Sequence, residues 1–142
     1  MPTSALLVMY PGLEGQLFDP AVRSRLGRVV DLSSDAAVVD LAGLDGLEGV
    51  EVLVTGWGCP PLDADALDRL PSLRFVAHAA GTVKGLVTDA LWERGVTVTS
   101  AAAANAVPVA EFTFAAIVML GKDVFGIRDR HRQARGTTSI VD

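Results

Sequence analysis

The sequence predicts an α/β fold, a doubly wound parallel sheet of about five strands followed by a long apolar helix. Five short runs carry the first part of that prediction: Ala5–Tyr10, Arg28–Leu32, Val50–Thr55, Arg74–Ala79 and Val96–Ser100. Most are apolar almost continuously rather than in alternation, as strands covered on both faces are. Helix-compatible segments fall between them, and β-α alternation selects a parallel sheet with right-handed crossovers. The long helix is predicted by "NAVPVAEFTFAAIVML", residues 105–120, which is apolar on nearly every side.

Taken in order, "ALLVMY" opens the sheet and leads to a helix over about 14–26. "RVVDL" is the second strand, followed by a weaker helical segment near 36–43. After "VEVLVT" a helix over 63–70 begins at Asp63, a good N-cap, and stops before Pro71. "RFVAHA" is the fourth strand, and the helix over 86–94 ends where Gly95 can take the left-handed turn. After "VTVTS" the last helix is expected to be capped by Asn105, with Pro108 in its first turn, where no amide donor is needed. Val109, Phe112, Ala116 and Leu120 share one face, while Phe114, Ile117 and Met119 lie on others. Burying each large side chain is worth roughly 1.5–3 kcal/mol, against about 5–15 kcal/mol for a whole domain. A helix without a polar face must therefore be enclosed by protein.

Length and composition fit one folded domain: 142 residues, half hydrophobic and 20% charged. The net charge of −5 excludes a general nucleic-acid or anionic-membrane surface. Charge is unevenly spread. Residues 122–142 hold Lys122, Arg128, Arg130, Arg132 and Arg135 against Asp123, Asp129 and Asp142, a net +2 that leaves −7 elsewhere. Such a change suggests that a different structural unit begins near Lys122. Cys59 is the single cysteine, so an intrachain disulfide or a cysteine metal cluster is impossible. The N-terminus lacks the pattern of a signal peptide. The longest apolar segment, about 106–121, is read as too short for a bilayer and carries Glu111. A cytoplasmic protein with no membrane or nucleic-acid partner is the expectation.

In doubly wound sheets ligands bind beyond the carboxyl ends of the strands. That rule selects "GWGCPPL", "AAGTVKG" and "AAAANAV", after the third, fourth and fifth strands. In this order, over roughly Val50 to Val124, these segments resemble the D-isomer-specific 2-hydroxyacid dehydrogenases. The strongest piece is "NAVPVAEFTFAAIVML", similar to that family's Asn-x-x-x-Val-Ala-Glu helix; residues 1–49 match only in pattern. The resemblance implies a flavodoxin-like substrate domain over 1–104. It also implies, over 105–142, an interdomain helix and the lead-in to an NAD(P)-binding Rossmann domain. It implies NAD or NADP in the complete enzyme, a small 2-hydroxy or 2-keto acid as substrate, and a homodimer through the 106–121 helix.

No Gly-x-Gly-x-x-Gly follows any strand, and the family's catalytic Arg, Glu and His have no counterpart here. The chain reads as the front portion of a dehydrogenase. Alone it is expected to be inactive, with no assignable catalytic residue, no metal and no tightly bound cofactor.

By the resemblance, Gly81, Thr82 and Val83 stand in the turn whose backbone amides contact the substrate carboxylate. Successive N–H groups in such a turn make an anion-binding nest. Val83 and Gly85 replace the family's second Gly and its Asp. Thr82 also falls close to the nicotinamide, as does Val109, for which simple core packing is an equal reading. Asn105 matches a substrate-contacting position, alongside its role as a cap. Glu111 is read as a structural hydrogen-bonding group near the first turn, and Lys84 as a solvated loop residue. Trp57 and Cys59 are placed at the pocket without a nucleophilic role, and His78 and His131 as structural or surface residues. The alternative is a stand-alone flavodoxin-like binding or interaction module without redox chemistry, distinguished by what covers the 106–121 helix. A flavin-binding relative is disfavoured because "YPGLEG" is a poor phosphate loop.

Overall fold

A computed structural model describes residues 3–134. Five parallel strands, β1 (Thr3–Val8), β2 (Val30–Leu32), β3 (Val52–Thr55), β4 (Phe75–His78) and β5 (Thr97–Ser100), form one sheet. Their order is β2-β1-β3-β4-β5, the flavodoxin-like doubly wound arrangement, whose direction reverses between β1 and β3. Four of the strands fall inside their expected runs; β1 overlaps its run but begins two residues earlier, at Thr3.

The near-continuous apolar character of the strands has a direct cause. Leu6, Leu53, Val76 and Val98 stand in register across four strands and belong to one core cluster with Leu67 and Leu91. The alternate positions Ala5, Leu7, Val52 and Val54 build a second cluster, with Leu13, Leu17 and Phe18 packed on it. Alternation sends successive side chains to opposite faces, and both faces are covered.

The helices are α1 (Leu13–Leu17), α2 (Pro20–Leu26), α3 (Ala64–Asp68) and α4 (Asp89–Glu93). Two expectations over them are corrected. The segment 14–26 is not one helix: Pro20 has no amide to continue α1 but suits the first position of α2. Asp19 caps that start by accepting from the Val22 amide at 2.7 Å. Residues 36–43 form no helix. Instead Val38 bridges beside Val8, and Ser34 and Asp40 accept from the amides of Ala36 and Ala42, local bonds that compete with a helical ladder. Asp63 does cap α3, accepting from Ala66 N at 3.0 Å, and Gly95 follows α4 at φ 74°.

Two compact units divide the chain, Met1–Ala104 and Asn105–Asp142. Helix α5 (Ala102–Gly121) spans that boundary and is followed by α6 (Val124–Ala134). Asn105 is not its N-cap. The helix begins three residues earlier because Ala102, Ala103 and Ala104 are the best helix formers available. Pro108 consequently lies inside the helix, where it withholds the amide that the Ala104 carbonyl would otherwise accept from. Glu111 falls in the third turn, exposed, and makes no side-chain hydrogen bond among the described residues.

The large apolar residues of α5 are all exposed, with Phe112 at 75%, Phe114 at 71% and Ile117 at 64%. At 20 residues it is also long and apolar enough to cross a membrane by length and composition. The reading of this segment as too short for a bilayer is therefore corrected, since the alanines add a turn. Arg135 and Asp142, part of the basic tail read from sequence, lie outside the described residues.

Candidate functional site

The row above the Leu6–Leu53–Val76–Val98 row is Val8, Thr55, His78 and Ser100, again in register across four strands. It shares the same face, so the core turns polar at the carboxyl edge of the sheet. Thr55 is fully buried and His78 is 5% exposed. Buried polar groups at such positions need partners, and these two supply one another: Thr55 Oγ1 lies 2.8 Å from His78 Nδ1. Burial holds the imidazole below its ordinary pKa, while a backbone hydrogen bond with Thr82 acts in the opposite direction.

The fold places a crevice where the strand order reverses, between β1 and β3. Here the loops after those strands are fastened together instead. The Tyr10 amide donates to the Trp57 carbonyl at 2.8 Å. Gly58, at φ 93°, lies flat under the Tyr10 ring, where a Cβ would come within 2.6 Å of ring carbons. Only glycine meets both demands.

The opening moves one strand along, to a cleft of about 170 Å³ between the loops after β3 and β4. Trp57 and Cys59 line it from one side, Thr82, Gly85 and Leu86 from the other, and His78 forms part of its floor.

Of the residues expected to bind substrate, Thr82 lines this cleft and is exposed; its Oγ1 accepts from the Lys84 amide at 3.4 Å. Gly81 stands half-buried in the same turn. Val83 is half-buried, its side chain packed against the larger core cluster. Its carbonyl accepts from both Leu86 and Val87, which sets the shape of the turn. Lys84 is exposed.

Asn105 and Val109 belong to α5 and are exposed; the Val109 carbonyl accepts from Thr113 Oγ1 at 2.7 Å. Trp57 is exposed, and the Cys59 thiol, donating to the Pro60 carbonyl at 3.4 Å, is pushed up to about 12 by burial. A thiol so rarely ionised is a poor nucleophile, as the sequence suggested. His131 lies in the last turn of α6. His78, read from sequence as structural or surface, is a buried residue paired with Thr55, and it is this pairing that sequence reasoning did not name. Its signal was the place of the histidine as the last residue of an otherwise apolar strand, opposite the threonine that ends the strand before it.

A family model for the D-isomer specific 2-hydroxyacid dehydrogenase catalytic domain matches residues 22–138. The chain belongs to that family. Among solved structures, the dehydrogenase-family chain is similar to a phosphoglycerate oxidoreductase from Rhizobium etli, at 21% identity and a TM-score of 0.71. It is also similar to the pyruvate reductase of Chlamydomonas reinhardtii, at 17% identity and a TM-score of 0.65. Each likeness covers 99% of this chain but 43% and 41% of the respective structures, and at these identities it is a likeness of fold. No curated protein matches.

The family generally uses NAD(P), and the described residues do not fit a whole dinucleotide. The turns after the strands, "YPGLEG", "GWGCPP" and "AAGTVKG", lack the spacing that lets a backbone approach a pyrophosphate. Among the described residues no group of three or more His, Cys, Asp or Glu side chains could hold a metal ion.

Proposed function

We propose that this chain supplies the substrate-binding part of an NAD(P)-dependent oxidoreductase acting on the CH–OH group of small D-2-hydroxy acids. The observation that carries the reading is the cleft between the β3 and β4 loops, with Thr82 and the 79–85 turn on one wall, in a chain of this family. The amides of Gly81, Thr82 and Val83 bind the substrate carboxylate. Asn105 contributes a further polar contact, and Thr82 and Val109 lie beside the nicotinamide.

Reduction of a 2-keto acid also needs a hydride carrier and a proton donor for the carbonyl. Among the described residues no side chain is assigned to either role. Residues 1–104 are the flavodoxin-like substrate domain, and 105–142 the link to a cofactor domain. The 106–121 helix is covered by protein, in a homodimer, and a cytoplasmic location goes with this assignment.

Titrating glyoxylate into the ¹⁵N-labelled chain tests it. Saturable shifts concentrated on the amides of residues 79–85 are expected. Shifts scattered over the surface, or none, count against the assignment of the cleft.

A further inference from the structure

The cleft between the β3 and β4 loops has two unlike walls. On one side stand Thr82 and the backbone of the 79–85 turn, and on the other the side chain of Trp57. Trp57 occupies a built corner. The Cys59 amide donates to the Gly56 carbonyl at 3.3 Å, and between them Gly58 takes φ 93°. That is the pattern of a type II turn, with Trp57 at its first corner. Both flanks of the corner are held: the Gly56 amide donates to the Val8 carbonyl at 3.2 Å, and the Trp57 carbonyl accepts from the Tyr10 amide at 2.8 Å. The Tyr10 ring covers Gly58. The backbone thus fixes Trp57 in place while the residue stays 52% exposed, leaving the indole available to a ligand.

The other lining side chains are neutral near pH 7. Burial pushes the Cys59 thiol up to about 12 and holds the His78 ring below its ordinary value. Leu86 is apolar. Lys84, the cation on the turn, is exposed, and a solvated charge adds little. At about 170 Å³ the cleft is also smaller than the roughly 300–1,000 Å³ of sites for drug-sized ligands.

We propose that Trp57 is a specificity-determining residue of this cleft, selecting 2-keto acids with a short uncharged side chain against those that carry a second anionic group. This rests on the reading of the 79–85 turn as the carboxylate-binding element. With the carboxylate on that turn, the rest of the acid faces the indole across the cleft. An apolar side chain placed there releases water from both surfaces. A second carboxylate or a phosphate gives up its water against the same wall, where no cationic side chain among the described residues lines the cleft to replace it. That desolvation works against binding.

The test titrates three acids into the ¹⁵N-labelled 142-residue chain: glyoxylate, 4-methyl-2-oxopentanoate and freshly prepared oxaloacetate. The last two are close in size and shape, one ending in a pair of methyl groups where the other ends in a carboxylate. Amides of residues 79–85 report the shared carboxylate, and the Trp57 indole N–H reports the side chain. Each methylene buried against apolar protein tightens binding by up to about fourfold. Over an isobutyl group that is partly covered, 4-methyl-2-oxopentanoate is expected to bind about tenfold more tightly than either of the other acids. It is also expected to move the indole N–H. Trp57→Ala is expected to bring oxaloacetate and 4-methyl-2-oxopentanoate to near equality. Trp57→Arg, which offers a guanidinium to the second carboxylate, is expected to put oxaloacetate ahead.

Equal affinity for those two acids in the wild type, or a preference that survives in Trp57→Ala, overturns the proposal. The carboxylate reading stands in that case, provided the 79–85 amides still shift. Amides of that turn that respond to none of the three acids remove the carboxylate reading, and the role of Trp57 with it.

Discussion

Replacing Phe112, Phe114 and Ile117 together by serine is expected to turn the proposed homodimer into a monomer. These side chains are 75%, 71% and 64% exposed, and no polar face of α5 compensates for them. Full burial of each is worth roughly 1.5–3 kcal/mol. Part of that is lost to the cost of association, so a net loss of about 3 kcal/mol, or about a hundredfold in the dissociation constant, is a conservative expectation. Sedimentation of wild type and variant over a concentration series reads it, with circular dichroism as a check that α5 persists. Because the helix is long enough to enter a bilayer, phospholipid vesicles belong in the same series. A monomeric wild type that partitions into vesicles would replace the protein cover by a lipid one.

Leu53→Ala is expected to destabilise the sheet unit by about 2–5 kcal/mol, the usual cost of deleting a fully buried leucine. Leu53 is completely buried on the central strand, registered with Leu6 on one side and Val76 on the other. Strands on both flanks and helices over the face leave the site little room to collapse, so the cavity persists. Against a total stability of about 5–15 kcal/mol, this is a large fraction. Denaturant unfolding measures it; a loss under about 1 kcal/mol contradicts the core described above.

The five strands were legible because a strand covered on both faces must be apolar at every position, and that leaves a plain mark. Caps with a single chemical cause, Asp63 and Gly95, were equally plain. The start of α5 was not. Asn105 and Pro108 both signal a helix beginning, yet three preceding alanines outweigh them. Near 36–43 the apolar spacing of a helix competes with local Ser and Asp side-chain bonds, and sequence spacing does not weigh one against the other.

At the site, the loops followed from the topology rule, and Thr82, Trp57 and Cys59 do share one cleft. The inward turn of Val83 and the partnership of Thr55 with His78 depend on register and on loop geometry. Residues 23 apart in sequence carry no local trace of such a pairing.

As proposed, this chain recognises a small 2-keto acid but does not itself carry out the redox step. The direct measurement follows NADH absorbance and the 79–85 amides in one sample of the 142-residue protein with glyoxylate. Saturable amide shifts are expected, with no NADH oxidation above the protein-free rate. Oxidation of NADH by this chain alone, or the absence of any shift in that turn, would contradict it.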